Sequence, residues 1–121
     1  MNHTLEELEA RLDPFWAERP VWRGADIDPG WADLVWDLLD DLEGLGVAVP
    51  EIHQVKTKFG GLRFYVGLAN ADQRNLIEYY EGLSTKTCEF CGVEGSGITI
   101  GYWYYTLCGP CRTQKQESGT R

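Results

Sequence analysis

An α+β fold is predicted: two or three helices packed on a β-hairpin, followed by a C-terminal zinc-ribbon-like module. Three observations carry that expectation. An apolar stripe at helical spacing runs from Trp31 to Leu45, and the period then drops to two around Gly60-Gly61. Four cysteines follow as two Cys-x2-Cys pairs. The division expected is a helical and hairpin domain over residues 1–85, a cysteine module over 86–112 and a polar tail over 113–121.

Thr4 with Glu7 three residues on forms a capping-box pattern, and Leu5, Leu8 and Leu12 follow at helical spacing. A first helix is expected from Leu5 to Leu12, stopped by Pro14. Residues 13–30 hold three prolines and read as irregular, with Phe15, Trp16 and Trp22 packing onto the core. In the second helix, Asp28 is the expected cap and Pro29 sits in the first turn. Trp31, Leu34, Val35, Leu38, Leu39, Leu42 and Leu45 form its buried side, and Gly44 and Gly46 end it. Trp36 lies off the stripe, either covering a neighbouring element or standing as an exposed anchor.

The hairpin is expected to turn at Gly60-Gly61. That register sets Phe59 against Leu62, Thr57 against Phe64, Val55 against Val66 and His53 against Leu68 on the core face. The other face then carries Gln54, Lys56, Lys58, Arg63 and Tyr65, with Lys58 directly opposite Arg63. Such a like-charge pair calls for an acid or anion over it, which the acidic second helix could supply. A third helix starts at Asn70, with Gln73 completing its cap and Leu76, Ile77, Tyr80 and Leu83 facing inward. The tail from about Thr113 is expected to fray.

Charge divides along the chain, whose formal net charge is −8 over 121 residues. Residues 1–51 hold 13 acids against three arginines, a net of −10, while residues 52–121 hold six acids and eight bases, a net of +2. The excess centres on Asp33, Asp37, Asp40 and Asp41, which form either a partner-binding face or a solvated one. An acidic balance argues against a general nucleic-acid binder. No apolar run approaches the ~18 residues of a membrane span, and MNHTLEELEA does not read as a secretory signal. A soluble, cytoplasmic chain is expected.

Cys88, Cys91, Cys108 and Cys111 carry the most specific signal. Two Cys-x2-Cys turns separated by sixteen residues match the spacing of a tetrathiolate zinc site. Gly92, Gly95, Gly97 and the β-prone ITIGYWYYTL segment supply the hairpin that folds the two turns together. Two disulfides would need an oxidising compartment, and a thioredoxin-like pair would need a Cys-x2-Cys opening a helix after a buried strand. Four thiolates leave no open position, so the zinc is expected to be structural.

Catalytic motifs are absent: there is no phosphate-binding loop, no GxSxG and no HExxH. Nor is there the histidine-rich hairpin that HNH-type nucleases add to their zinc knuckles. His3 falls in a terminus expected to be mobile, and His53 is expected on the core side of a strand. The chain is expected not to be an enzyme.

The run IHQVKTKFGGLRFY over residues 52–65 resembles a QVKxKFGGLRFY motif. That motif belongs to small proteins of phages, prophages and bacterial mobile elements, to which no activity is attached. The layout is similar over about residues 22–112, including the Gly30-Trp31-Ala32-Asp33-Leu34 helix start and the cysteine pairs. In similar sequences the last ligand position can be His, where this chain has Cys111.

The resemblance implies a small acidic host-takeover or counter-defence protein. Such a protein, anti-CRISPR proteins among them, would occupy a surface on a host protein or protein–nucleic-acid complex. The alternative is a nucleic-acid-binding zinc ribbon using Lys56, Lys58, Arg63 and Tyr65, with Trp103 and Tyr104 as stacking surfaces. An enzyme centred on His53 ranks third.

Overall fold

The computed structural model describes residues 2–18 and 23–117. Trp22, expected in the core, lies outside them, as do residues 118–121. The fold is α+β, with four helices and two small sheets. Among the described residues no helix is long and apolar enough to cross a membrane.

Helix α1 spans Leu5–Leu12. Thr4 Oγ1 accepts the Glu7 N–H at 3.0 Å and Glu7 Oε1 accepts the Thr4 N–H at 2.8 Å, so two orphan donors are satisfied together. Leu8 and Leu12 are fully buried. A 3-10 turn over Asp13–Phe15 absorbs Pro14. Within the segment expected to be irregular, Trp16 bridges to Ile52, and strand β1, Ala25–Asp26, pairs parallel with Val55 and Lys56.

Helix α2 covers Ala32–Gly44, preceded by a 3-10 turn at Pro29–Trp31. Asp28 is the N-cap of that turn, but its side chain makes no capping bond, contrary to expectation. The Trp31 N–H bonds the Asp28 backbone oxygen instead. Trp31, Val35, Leu38, Leu39 and Leu42 are buried as the stripe requires. Leu45 falls past the last helical residue, turns off the stripe and is 37% exposed.

Strands β2, Ile52–Lys58, and β3, Gly61–Val66, pair antiparallel in a register two residues from the expected one. The turn is Phe59-Gly60, with φ of 53° and 71°. Both central residues are left-handed, as a type I′ turn demands. Lys58 therefore faces Gly61, Thr57 faces Leu62, Lys56 faces Arg63 and Val55 faces Phe64. The like-charge pair is Lys56–Arg63, not Lys58–Arg63, and Phe59 projects into solvent at 76% exposure.

A bulge at His53 adds one residue between the Ile52–Val66 and Gln54–Tyr65 pairs. It brings both Ile52 and Val55 into the core and leaves His53 half exposed, with Nε2 3.2 Å from Glu51 Oε1. Leu68, expected opposite His53 in the core, is fully exposed.

Helix α3, Ala71–Ser84, carries the Asn70–Gln73 capping box. It buries Ile77 and Tyr80 and lies against β3. Ser84 Oγ and Glu81 Oε2 accept the Leu62 and Phe64 N–H groups at 2.9 Å each. The outer edge of β3 is thus bonded to helix side chains.

The expectation for the turn itself is testable. A bulky residue in the left-handed region costs about 1–2 kcal/mol, and Asn-Gly is a preferred type I′ pair. Phe59→Asn is expected to stabilise the chain by about 0.5–1 kcal/mol and raise the melting temperature a few degrees. A lower melting temperature would show that the Phe59 ring supports the fold.

In the second sheet, β4, Ser96–Ile100, and β5, Trp103–Leu107, pair antiparallel around Gly101-Tyr102. Helix α4 follows at Gly109–Glu117, so residues 113–117 are helical where fraying was expected. Pro110 suits its first turn, and the Lys115 ammonium lies 5.2 Å from the Tyr105 ring centre and 5.6 Å from that of Phe90, tying the helix down. This half has its own small core of Cys88, Ile100, Leu107 and Cys108. Bonds that join it to the larger core include Gly30 N–H to Glu89 O at 2.7 Å, Trp31 Nε1–H to Thr87 O at 2.8 Å, and Thr106 Oγ1–H to Gly60 O at 2.7 Å.

Candidate metal centre

The Cys88–Cys91 turn is a knuckle held by its backbone. The Gly92 N–H bonds Cys88 O at 3.0 Å and the Cys88 N–H bonds Val93 O at 2.7 Å. The second pair spans the start of α4, where the Arg112 N–H bonds Cys108 O at 2.9 Å. Pairing of β4 with β5 brings the two turns together. All four sulfurs lie within 4.8 Å of one another, and Cys91 Sγ is 3.5 Å from Cys108 Sγ.

All four cysteines are free. A tetrahedral thiolate site with ~2.3 Å metal–sulfur bonds has sulfurs about 3.8 Å apart, so the cluster fits one metal ion.

The thiols' chemistry agrees with that fit. Burial opposes ionisation of Cys88, but N–H groups of Cys108, Cys91 and Phe90 directed at its sulfur outweigh it and hold the thiol at about 7. At Cys91 the Val93 N–H favours the thiolate, yet burial and hydrogen bonds to Cys108 and Cys88 push it up. Cys111 is driven up by burial and by the other three sulfurs. Four sulfurs this close cannot all carry a charge unless a cation sits among them.

Gly30 presses on this knuckle. A Cβ there would lie 2.2 Å from Cys88 O and 2.4 Å from Glu89 O. Gly92, with φ of 86°, faces Gly30 in turn, its added Cβ 3.0 Å from Gly30 O. Glu89, between the two ligands of the knuckle, is buried. Its Oε2 accepts the Thr106 N–H at 2.7 Å while its own N–H bonds Thr106 O at 2.9 Å. Burial raises the Glu89 carboxyl above its ordinary range, as does Asp28, while Thr106 and Lys115 work the other way. Asp28 is raised as well, by burial first and by Asp26, with Lys115 opposing.

The acidic residues of α2 are largely engaged within the chain. Asp33 Oδ1 accepts the His3 backbone N–H at 2.6 Å and lies 2.8 Å from His3 Nδ1. Asp40 pairs with Arg11 at 2.8 Å, and Asp41 accepts the Tyr80 hydroxyl. Asp37 is exposed; burial, slight as it is, and the neighbouring Asp40, Asp33 and Asp41 raise its carboxyl.

His3, expected to be mobile, stacks on Trp36 with ring centres 3.8 Å apart, and the Arg11 guanidinium lies 4.5 Å from the same ring. Trp36 is therefore half-buried under α1 and the residues before it.

Lys56, Arg63, Tyr65 and Lys58 lie along the hairpin. Arg63 Nη1 donates to Leu62 O at 3.0 Å, and Lys58 Nζ is 5.8 Å from the Phe59 ring. None of the three cations pairs with a carboxylate among the described residues. The helix covering β3 is α3, so α2 does not supply the expected counter-charge.

Gly30, Glu89 and Thr106 escape sequence reasoning. No pattern distinguishes a glycine after proline that meets a distant backbone, or a buried glutamate between two cysteines. Comparison with protein-family models, curated proteins and solved structures finds no match to this chain.

Proposed function

We propose that the chain is a non-catalytic, zinc-stabilised protein-binding module. The carrying observation is the cluster of four sulfurs within 4.8 Å. A tetrathiolate set favours zinc, with iron the competitor, and offers no open coordination position for substrate. The metal then holds β4, β5 and α4 in place, leaving surface contact as the module's work. The expected partner presents basic groups to the acidic half. The narrower reading, a host nucleic-acid machine or defence complex such as a CRISPR–Cas assembly, rests on the motif resemblance and that acidity.

Elemental analysis of the purified chain is expected to give one zinc per chain. Iron or no metal would overturn that part. The double variant Asp37→Lys/Asp40→Lys spares Asp33 and Asp41, which serve His3 and Tyr80. It is expected to reduce capture of basic proteins from host lysate about tenfold. Unchanged capture would overturn the acidic-face reading.

A second reading, nucleic-acid binding, is favoured by Lys56, Arg63 and Lys58 lying unpaired with acids along one hairpin. Retardation of an oligonucleotide at low salt is its test.

A further inference from the structure

The turn of the first hairpin meets a strand of the second. The Phe59-Gly60 turn is pressed onto β5, where Gly60 O accepts the Thr106 hydroxyl and a Cβ on Gly60 would lie 2.8 Å from Tyr104 Cδ2. Tyr104 is confined on its other side as well, since a Cβ on Gly97 would lie 1.8 Å from its hydroxyl oxygen. The ring thus lies across bare backbone and is held in place before any ligand arrives.

Beside this junction opens a cleft of about 280 Å³. Phe59, Trp103 and Tyr104 line it together with the acidic residues Asp26, Asp28 and Glu89, the last of them buried. The rings are costly to leave in water: Phe59 is 76% exposed, Trp103 60% and Tyr104 48%. Phe59 is also held in a left-handed backbone conformation that bulky residues avoid.

The mixture of lining groups selects the ligand. A phosphate-bearing ligand would be repelled by the carboxylates of Asp26 and Asp28. A neutral apolar one would strip water from those carboxylates without replacing it. A cation seated on the ring faces answers both, because the ring quadrupole and the carboxylates attract it together. The chain already uses this chemistry nearby, where Lys115 lies over Tyr105 and Phe90. Lys115 lies over Tyr105, which also lines the cleft, and the exposed Asp26 and Asp28 leave its mouth negative. A guanidinium suits the site better than an ammonium, since it stacks flat on an aromatic ring and bonds a carboxylate through two N–H groups.

We propose that this cleft seats an arginine side chain from a basic segment of a partner protein, stacked on a ring of the aromatic wall to which Phe59, Trp103 and Tyr104 contribute, with Asp26 and Asp28 as counter-charges. The inference rests on the binding-module reading and supplies that module with a contact.

The test is calorimetric titration of the full-length, zinc-loaded chain with a capped hexa-arginine peptide at physiological salt. One saturable site is expected, with hexalysine binding more weakly. Trp103→Ala and Asp28→Asn are each expected to weaken hexa-arginine about tenfold. Glu6→Gln, which removes one charge from an exposed position on α1, is expected to change nothing. In the wild-type spectrum, where no variant can confuse folding with binding, the Trp103 indole N–H is expected to shift most among the tryptophans.

Absence of hexa-arginine binding would overturn the cleft. So would equal losses in Glu6→Gln and Asp28→Asn. Loss confined to Asp37→Lys/Asp40→Lys would also remove the cleft but leave the module reading standing. Binding of oligothymidylate in place of the peptide, abolished by Trp103→Ala, would overturn both.

Discussion

Chelation of the metal is expected to unfold the chain from the Cys88–Cys91 knuckle through α4 while α1, α2 and α3 persist. The asymmetry lies in the two cores. The larger one combines Leu8, Leu12, Trp31, Leu38, Leu39, Leu42, Ile52, Val55, Leu62 and Phe64, all essentially inaccessible to water. The smaller one buries only Ile100 and Leu107 besides two of its own cysteines. A core that small cannot offset the ordering of about thirty residues at roughly 1.5 kcal/mol each.

Structural zinc supplies folding free energy on the order of 10–16 kcal/mol in small metal-folded domains, and so it is the part this half can least do without. By NMR, the Trp103 and Tyr105 signals should collapse to random-coil positions on adding chelator, while those of Trp31 and Trp36 stay dispersed. Cys108→Ser should do the same without chelator. A chelated chain that kept every dispersed signal would show that the cysteines hold no metal the fold depends on.

Gly30→Ala is expected to destabilise the chain by about 3 kcal/mol or more and to weaken its hold on the metal. The added methyl would meet two carbonyl oxygens at 2.2 and 2.4 Å, and both belong to the backbone of the knuckle. A side chain could rotate aside, but these atoms move only with the sulfurs they position. The Gly30 N–H bond to Glu89 O would be lost in the same displacement. Gly44→Ala is the control. It lies at the end of α2 with nothing within 4 Å, and should be neutral or stabilising by up to about 1 kcal/mol. The readouts are the melting temperature and the chelator concentration at half release. Equal behaviour of the two variants would show that the Pro29–Trp31 turn and the knuckle do not touch as described.

What was legible in the sequence is what local chemistry decides. Thr4 with Glu7 and Asn70 with Gln73 announce helix starts because each pair bonds its own turn. The Cys-x2-Cys spacing announces a sulfur cluster because each turn delivers two sulfurs to one side. The register of β2 on β3 was not legible. Gly60-Gly61 is the more comfortable turn taken alone, but it would place His53 and Phe59 on the core face and turn Ile52 away. The bulge at His53 and a left-handed Phe59 satisfy the core at a local cost no short window reveals.

Helix α4 was missed because its polar stretch holds no apolar stripe. It is fastened instead by a lysine on two rings. The acidic face was visible as charge, yet not that His3, Arg11 and Tyr80 engage much of it.

The bonds from Ser84 and Glu81 to β3 have a counterpart in the second sheet, where Glu89 takes the Thr106 N–H of β5. In both places a side chain occupies the donors a flanking strand would otherwise offer to a stranger. Unguarded strand borders invite recruitment of further copies, ending in fibrils or precipitate. At β3 and at β5 the border meets an acceptor that cannot continue the ladder. A chain with so many aromatic groups in water can therefore present them to a partner without its sheets growing into one another.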